Sequence, residues 1–564
     1  MVLLIYRIQA NVPVIIMGET GCGKTSLIIK LNQLLNNSKN LVYIIKIHPG
    51  INEKEICKEM IKANNNAKNI SKEYWVFFDE INTCFCLTLL TEIFINRTFK
   101  GEKLEENIRL IGACNPYRPK DVPDPKVGLT TEETKEEEEP LVYKVQPLPE
   151  SLLYYVYSFG PLSDEDEKKY ILSITANNLF NIEEEEMHIL TSEAISRCHI
   201  FLRDKFKDPS IVSLREITRF TKCVEFFEDY YLKKNNTKKS DISYEEAKVN
   251  KIKSIICSLY LCYYIRLINK EQRAEFDSGL QSILLEIINV NSKNKFDENS
   301  EKDLKSKIKY EPLSQDIREK NITQFSNFLE LEEDYLLDQI DLGPGIGKNQ
   351  LLKENVFLLF LSVCTKIPLI IVGKPGTGKS LSSKLITNSM RGKYSKNAFF
   401  RKYPQIIQIY FQGSKSNIPE DVEKLFKRAE KLYENFKKNN KDKKGDEIPI
   451  YMILFDELGL AEKSTKNPLK VLHHKLEYDG KTEGVCFIGI SNYSLDAAKS
   501  NRALYLAVPN LEDFQDELFD TAKSIVNDIS PELNAYKDRS NMLIFELISN
   551  AYYEYLRSLI GETD

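Results

Sequence analysis

The sequence predicts two α/β domains in tandem, each built on a parallel β-sheet with helices on both faces. A strand, a glycine-rich loop and a helix follow one another at residues 14–31, and the same order returns at residues 369–385. In both copies an apolar strand ending in Asp-Glu comes next. A further strand then ends in Asn, which stands 36 residues after the Asp each time. Strands that alternate with helices are typical of parallel sheets, and two copies indicate two such domains.

Each glycine-rich loop carries a complete phosphate-binding pattern. Residues 18–25 read GETGCGKT and residues 373–380 read GKPGTGKS. Glycines let backbone N–H groups converge on phosphate oxygens, the lysine neutralises the β- and γ-phosphates, and the last hydroxyl binds Mg²⁺. A chance glycine turn is disfavoured because both loops follow an apolar strand and open a helix. The predicted ligands are ATP and Mg²⁺, and the predicted binding residues are Gly18, Gly21, Gly23, Lys24, Thr25, Gly373, Gly376, Gly378, Lys379 and Ser380.

Carboxylates at the strand ends supply further chemistry that such sites need. Asp79 and Asp456 end apolar strands, where a carboxylate can hold the Mg²⁺ shell. Glu80 and Glu457 follow directly and are predicted to point to the opposite side of the strand end. There a carboxylate can orient and deprotonate the attacking water. The alternative is an acidic pair that only caps the next helix.

Asn115 and Asn492 end the neighbouring strand in each copy. An amide at this position can contact the γ-phosphate or the attacking water. Asn at a strand end is otherwise an ordinary turn residue. The equal spacing in the two copies favours the functional interpretation.

Arginines extend the predicted sites. Arg502 lies ten residues after Asn492, in a region that faces the neighbour's nucleotide in ring ATPases. Our hypothesis is that Arg502 serves the site built on Lys24 by stabilising transition-state charge, and the alternative is a surface arginine. In the first lid, Arg215 or the nearby Arg219 could reach the γ-phosphate, and we favour Arg215.

Taken together, these residues predict two P-loop AAA+ modules, each with a helical lid. Because the chain ends at Asp564, we expect the second lid to be incomplete and its lid-side arginine to be missing. The predicted divisions are a first core at 1–160, a first lid at 161–232, a helical and polar linker at 233–343, a second core at 344–510 and a partial second lid at 511–564.

Composition excludes several other classes. The net charge is −5, which does not favour a nucleic-acid binder. The 11 cysteines lack the paired spacing of a zinc site or a disulfide framework, and this favours a reducing compartment, hence a cytoplasmic protein. No stretch is long enough for a membrane span. A guanine-reading pattern at Asn294–Asp297 lies in a polar stretch far from both loops, so ATP is favoured over GTP.

These motifs resemble the mysterin family, very large RING-type E3 ubiquitin ligases with a dynein-like AAA+ core. The first module carries FFDEIN at 77–82, NRTFKGEKLEENIRLIGACNPYRP at 96–119 and VQPLPESLLYYVYSFGPLSDEDEKKYI at 145–171. The second carries LLKENVFL at 351–358, FDELGLAEKSTKNPLKVLHHKLE at 455–477 and CFIGISNYSLDAAKSNRALY at 486–505.

The resemblance implies the third and fourth units of a six-unit ring within one chain, and a ligase whose ATP state is coupled to ubiquitin transfer. It therefore implies neighbouring AAA+ units and the ubiquitin machinery as partners. The RING cysteines and histidines are lacking, so we do not expect ligase activity in this chain alone. We expect either a fragment of a larger protein or a short relative that kept the ATPase pair.

Three functions remain open from the sequence. The first is an AAA+ ATP hydrolase that couples turnover to conformational change. The second is a nucleotide-gated scaffold that holds ATP with little turnover and supports a ligase or another partner. The third, an ATPase acting on DNA, predicts a basic stripe that the sequence does not supply. All hydrolytic residues are present in both modules, which favours the first.

Overall fold

The computed structural model describes residues 2–36, 41–47, 51–70, 72–119, 145–160, 162–179, 184–238, 240–289, 323–343, 346–443, 445–464, 466–476, 484–493 and 497–508, with a few isolated positions besides. The predicted partial second lid lies largely outside these residues.

The described residues of the first module form a five-stranded parallel sheet. Its strands lie in the order β2-β3-β6-β1-β7. The strands are β1 (Val14–Met17), β2 (Val42–Lys46), β3 (Tyr74–Asp79), β6 (Ile108–Cys114) and β7 (Val156–Ser158), and a short antiparallel pair, β4 (Thr98–Phe99) and β5 (Glu102–Lys103), lies beside them. Strand β3 is buried along almost its whole length, as expected of a strand covered on both faces.

The second module repeats this arrangement. Its parallel sheet has the order β9-β10-β11-β8-β12. The strands are β8 (Leu369–Val372), β9 (Ile406–Gln412), β10 (Ile450–Asp456), β11 (Val485–Ser491) and β12 (Leu504–Ala507). In both sheets the strand before the glycine-rich loop pairs with the strand before the Asn. The predicted fold class, two tandem α/β AAA+ modules, is therefore confirmed.

Helices flank both sheets and form the first lid. In the first module and its lid these are α1 (Val2–Gln9), α2 (Lys24–Leu35), α3 (Glu53–Lys68), α4 (Leu87–Thr91), α5 (Glu150–Leu153), α6 (Asp164–Leu179), α7 (Glu185–Phe206) and α8 (Leu214–Asn235). Among the described residues, three more helices precede the second module: α9 (Tyr244–Cys262), α10 (Lys270–Asn289) and α11 (Ser326–Asp338). Within the second module lie α12 (Gln350–Thr365), α13 (Lys379–Ser389), α14 (Pro419–Asn439), α15 (Leu458–Glu462), α16 (Val471–Lys475) and α17 (Ala497–Ser500). No helix among the described residues is long and apolar enough to cross a bilayer.

One hydrophobic core joins the first lid to the second module. It runs from Phe220 and Phe227 in α8 to Phe357 in α12 and Ile371 in β8. The rings of Phe227 and Phe357 stack with their centres 6.0 Å apart. The lid of the first module is thus packed on the body of the second, so the two move together unless this core opens.

The predicted linker at 233–343 takes part in the same core. Helix α9 is almost fully buried from Ile252 to Cys262, and α10 and α11 contribute further apolar side chains. The polar residues that suggested a linker lie partly on exposed turns and partly at 290–312, outside the described residues. The division between lid and linker stays a prediction.

Candidate functional site

The first glycine-rich loop closes around its own lysine. Gly21 and Gly23 have φ of 76° and 85°, a backbone conformation that residues with a side chain rarely adopt. Helix α2 begins directly after them, at Lys24. Lys24 Nζ donates to the carbonyl oxygens of Gly18 at 2.6 Å and Glu19 at 2.8 Å. It also donates to Asn115 Oδ1 at 3.2 Å. The ammonium thus stands at the mouth of the loop, where phosphate oxygens could replace these acceptors.

The residues predicted to hold Mg²⁺ in the first module are neighbours. Thr25 Oγ1 donates to Asp79 Oδ2 at 3.2 Å. A hydroxyl and a carboxylate at this distance offer the oxygen ligands that Mg²⁺ prefers. Beside a loop of converging N–H donors, this set fits a Mg²⁺–nucleotide complex.

The second loop has the same form. Gly376 and Gly378 have φ of 88° and 76°. Lys379 Nζ donates to the carbonyl oxygens of Gly373 and Lys374, both at 2.6 Å. Burial lowers the pKa of Lys379 to about 8, although the carboxylates of the Asp-Glu pair oppose this change. A bound polyphosphate would add negative charge and favour the protonated lysine.

The two predicted bases share an uncommon backbone conformation. Glu80 has φ 56° and ψ 43°, and Glu457 has φ 53° and ψ 42°. Left-handed backbone is unfavourable for a residue with a Cβ and often marks a functional site. Both residues therefore leave the strand direction and begin a sharp turn, which the alternation of strand side chains did not predict.

Glu80 is contacted by the second module. Arg502 Nη2 donates to Glu80 Oε1 at 2.7 Å, and His473 Nδ1 lies 2.7 Å from Glu80 Oε2. Arg502 Nε also donates to the backbone carbonyl of His473 at 3.0 Å. The side chains of Glu80, His473 and Arg502 are only 15%, 9% and 4% exposed. The structure thus brings Arg502 to the first site, where the sequence hypothesis had placed it.

Charge decides the protonation of Glu80. Burial opposes its ionisation, but the nearby charges of His473 and Arg502 outweigh burial and hold its pKa well below the usual range. Lys470 acts in the same direction. Glu80 is therefore a carboxylate, and the proton of its contact with His473 lies on Nδ1.

The second site holds its glutamate differently. Asn492 Nδ2 donates to both oxygens of Glu457, at 2.9 and 3.1 Å. In the first site the corresponding Asn115 contacts Lys24 instead, and its backbone carbonyl accepts from Asn82 Nδ2 at 2.8 Å. Equal spacing in the sequence therefore gives two different contacts.

The first lid touches the first glycine-rich loop. A Cβ placed on Gly21 would lie 2.6 Å from Ser213 Cβ and 3.8 Å from Arg215 Nη1. Arg118 also joins the loop to the lid, through Glu19 at 3.3 Å and Asp208 at 2.8 Å. The predicted lid residue Arg215 therefore stands beside the phosphate loop.

Arg219, the alternative lid arginine, has another role. Its Nη2 donates to the carbonyl of Asn501 at 2.7 Å, and its Nη1 donates to Glu216 at 2.8 Å. Asn501 Nδ2 donates to the carbonyl of Ser210 at 2.5 Å. Two buried hydrogen bonds thus fix the lid to the residue that precedes Arg502 in the chain. We call these two contacts the lid clasp.

Sequence reasoning missed His473 and Asn501. The five histidines form no ligand or triad pattern in the sequence, and His473 is 393 residues away from Glu80 along the chain. Asn501 precedes the predicted residue Arg502, and this neighbouring position was the one sequence signal that could have pointed to Asn501.

Comparison with known proteins supports the same architecture. Two family profiles, both described as RNF213 AAA domain, match residues 1–118 and 345–515. The chain is 31% identical over 558 residues to the E3 ubiquitin-protein ligase rnf213-beta of Danio rerio and 30% identical over 563 residues to RNF213 of Homo sapiens. These alignments cover 93% and 92% of this chain but 10% of each relative.

Among solved structures, a mutant RuvB of Thermotoga maritima is 13% identical, with a TM-score of 0.28 over 51% of this chain and 74% of that one. The Caenorhabditis elegans protein PCH-2 is 18% identical, with a TM-score of 0.23 over 37% of this chain and 53% of that one.

The two profiles fall on the two modules in the order in which the chain presents them, and the alignments with the RNF213 ligases run through both. Over its AAA+ region, the chain belongs to the mysterin, or RNF213, family.

Proposed function

We propose that this chain binds and hydrolyses ATP with Mg²⁺, and that its first site is completed by the second module. The observation that carries the proposal is the contact of Arg502 with Glu80 at 2.7 Å across the two modules. An arginine held beside the base of a neighbouring site can stabilise the charge that develops during phosphoryl transfer.

In this mechanism each residue of the first site has a separate task. Lys24 and the loop N–H groups bind the phosphates, and Glu80 orients the attacking water and accepts its proton. Asn115 lies beside Lys24 and can contact the γ-phosphate. Arg215 approaches from the lid. Glu457 and Asn492 form the corresponding pair in the second site.

Mg²⁺ would be held by Thr25 and Asp79 in the first module and by Ser380 and Asp456 in the second. When bound, it would neutralise charge on the phosphate oxygens. The side-by-side hydroxyl and carboxylate of the first site support this assignment.

Steady-state ATP turnover tests the proposal. Glu80→Gln and Glu457→Gln remove the base while keeping the size of the side chain, so nucleotide should still bind. We expect Glu80→Gln to lower the rate of the first site by ~10²–10⁴, and Arg502→Ala to lower it by ~10³–10⁵. Nucleotide binding with wild-type turnover near zero, unchanged in these variants, would contradict the proposal.

A second candidate is a nucleotide-gated scaffold. Both carboxylate oxygens of Glu80 accept hydrogen bonds, from Arg502 and from His473, and these contacts make the carboxylate a weaker base in this conformation. A chain that stayed in this conformation would hold ATP without cleaving it. The turnover measurement separates the two functions.

The wider setting is proposed from the relatives. The chain spans about a tenth of the length of the ligases it matches, and we propose that it works as part of an RNF213-like protein, beside other AAA+ units and coupled to the ubiquitin machinery. All eleven cysteines are free thiols, which supports a cytoplasmic location.

A further inference from the structure

We propose that His473 of the second module is a positioning residue of the first ATP site, which keeps Glu80 oriented when Arg502 turns to the phosphate. This inference rests on the proposed function. It assigns a task to a residue whose sequence position indicates none.

Two contacts place His473 at the centre of the site. Its ring Nδ1 donates to Glu80 Oε2 at 2.7 Å, and its backbone carbonyl accepts from Arg502 Nε at 3.0 Å. One residue on the short helix α16 thus aligns both the base of the first site and the arginine that completes it. The imidazole is 9% exposed, so water competes little for these contacts.

Arg502 has two possible anionic partners, Glu80 and the γ-phosphate of ATP. When it binds the phosphate, a second hydrogen-bond donor is needed to keep the Glu80 carboxylate in position. In the structure Arg502 pairs with Glu80 Oε1. A γ-phosphate carries more charge and more acceptor oxygens than a carboxylate, and an arginine binds it well. Once Arg502 turns to the phosphate, Oε1 is released to accept a proton from water. The hydrogen bond from His473 to Oε2 then holds the carboxylate in place.

The surrounding charges fit this division of tasks. Glu80 faces His473 and Arg502, and Lys470 lies on the turn that leads into α16. When Arg502 leaves Glu80, His473 remains as a hydrogen-bond donor to Oε2. It keeps the carboxylate in its orientation and leaves Oε1 available to the attacking water. In the second site the amide of Asn492 donates to both oxygens of Glu457. Glu457 is therefore positioned by a residue of its own module.

The test compares two substitutions of His473 in a parent that turns over only at the first site. The parent is Glu457→Gln. His473→Leu removes the donor, whereas His473→Asn places an amide N–H near the position of Nδ1. We expect His473→Leu to lower kcat by about 10- to 100-fold, the size of a lost hydrogen bond to a charged group. The KM for ATP should change less than about twofold, because His473 orients Glu80 and does not bind ATP. His473→Asn should recover most of the rate, because its amide restores a hydrogen-bond donor to Glu80.

Controls separate this inference from the proposed function. In a Glu80→Gln parent, which keeps only the second site, His473→Leu should leave the rate unchanged. Equal kcat for the Leu and Asn variants would overturn the inference, as would a parallel loss of kcat and ATP affinity in both. A Glu457→Gln parent that binds ATP without turnover overturns the proposed function itself, before any substitution of His473 is made.

Discussion

Gly21 lies where the first phosphate loop meets the first lid, and it has two separate reasons to be glycine. Its φ of 76° disfavours a side chain, and a Cβ there would lie 2.6 Å from Ser213 Cβ. Gly376, its counterpart in the second loop, has φ 88°, and a Cβ placed there would meet no atom within 4 Å among the described residues other than its chain neighbours. A substitution at Gly376 therefore introduces backbone strain only, whereas a substitution at Gly21 adds a steric clash with the lid.

We predict that Gly21→Ala weakens nucleotide binding at the first site more than Gly376→Ala weakens it at the second. Both variants carry the strain of a left-handed residue, about 1–2 kcal/mol, but only the first pushes the loop against the lid. Binding of a fluorescent ATP analogue, measured in Lys379→Ala and Lys24→Ala backgrounds to isolate each site, checks this. Adding Ser213→Gly to Gly21→Ala should recover part of the loss. Equal losses in the two loops would show that lid contact plays no role.

At the scale of elements, the N-terminus of α8 carries a buried charge cluster beside the phosphate loop. Ser213 caps the helix and pairs with Glu216 in a capping box. Glu216 is 1% exposed and accepts from Arg219 at 2.8 Å and from Arg266 at 2.9 Å. Burial raises its pKa, but the two arginines outweigh burial and lower it from 4.5 to about 2.

This cluster predicts a pH-dependent part of the stability. A carboxyl with a lowered pKa stabilises the folded state above its unfolded pKa of 4.5, and this contribution is lost as the pH falls from 4.5 towards 2. The shift corresponds to about 3 kcal/mol. We expect Glu216→Gln to lower the melting temperature at pH 7 by several degrees, with a difference from wild type that shrinks between pH 5 and pH 3.

A surface pair supplies the control for this measurement. Glu193 on α7 pairs with Lys168, and its side chain is 28% exposed. Partly exposed pairs contribute about 0–1 kcal/mol, so Glu193→Gln should change the melting temperature little at any pH. A Glu216→Gln difference that stays constant with pH would assign the effect to packing instead of charge.

For the whole molecule, the sequence predicted the elements that repeat but, apart from Arg502, missed the contacts that join the two modules. The two phosphate loops, the strand-ending carboxylates and the parallel sheets follow from local patterns, because each motif lies within a short stretch whose spacing is fixed by strand and helix geometry. The contact between Glu80 and His473 spans 393 residues, and no local spacing encodes it. Arg502 could be proposed only by its position relative to Asn492.

The two strand-ending asparagines make different contacts, and this difference shows a second limit of prediction from sequence. Asn115 and Asn492 occupy equivalent strand ends, yet Asn82 fixes the backbone of Asn115 while the equivalent position in the second module is Gly459. A Cβ on Gly459 would lie 2.6 Å from Ser491 Oγ. The neighbours, which differ between the modules, thus decide the hydrogen-bond partner of each side-chain amide: Asn115 accepts from Lys24, whereas Asn492 donates to Glu457.

The lid clasp predicts energetic coupling between the lid and the arginine of the first site. Asn501 donates to Ser210 at 2.5 Å and accepts from Arg219 at 2.7 Å, and Arg502 is the next residue in the chain. Neither Asn501 nor Ser210 is a predicted ATP-binding residue, so we expect a substitution of Asn501 to affect turnover through the placement of Arg502. We expect Asn501→Leu to lower the kcat of the first site by about tenfold, as one buried hydrogen bond is lost.

A double-mutant cycle makes this coupling measurable. If the clasp acts by placing Arg502, then Asn501→Leu should have almost no further effect in an Arg502→Ala background, because the group it positions is absent. Ser500→Ala is the matched control, since Ser500 Oγ donates to Leu495 within the second module and takes no part in the clasp. Additive losses for Asn501→Leu and Arg502→Ala would mean that the lid clasp stabilises the molecule without positioning the arginine.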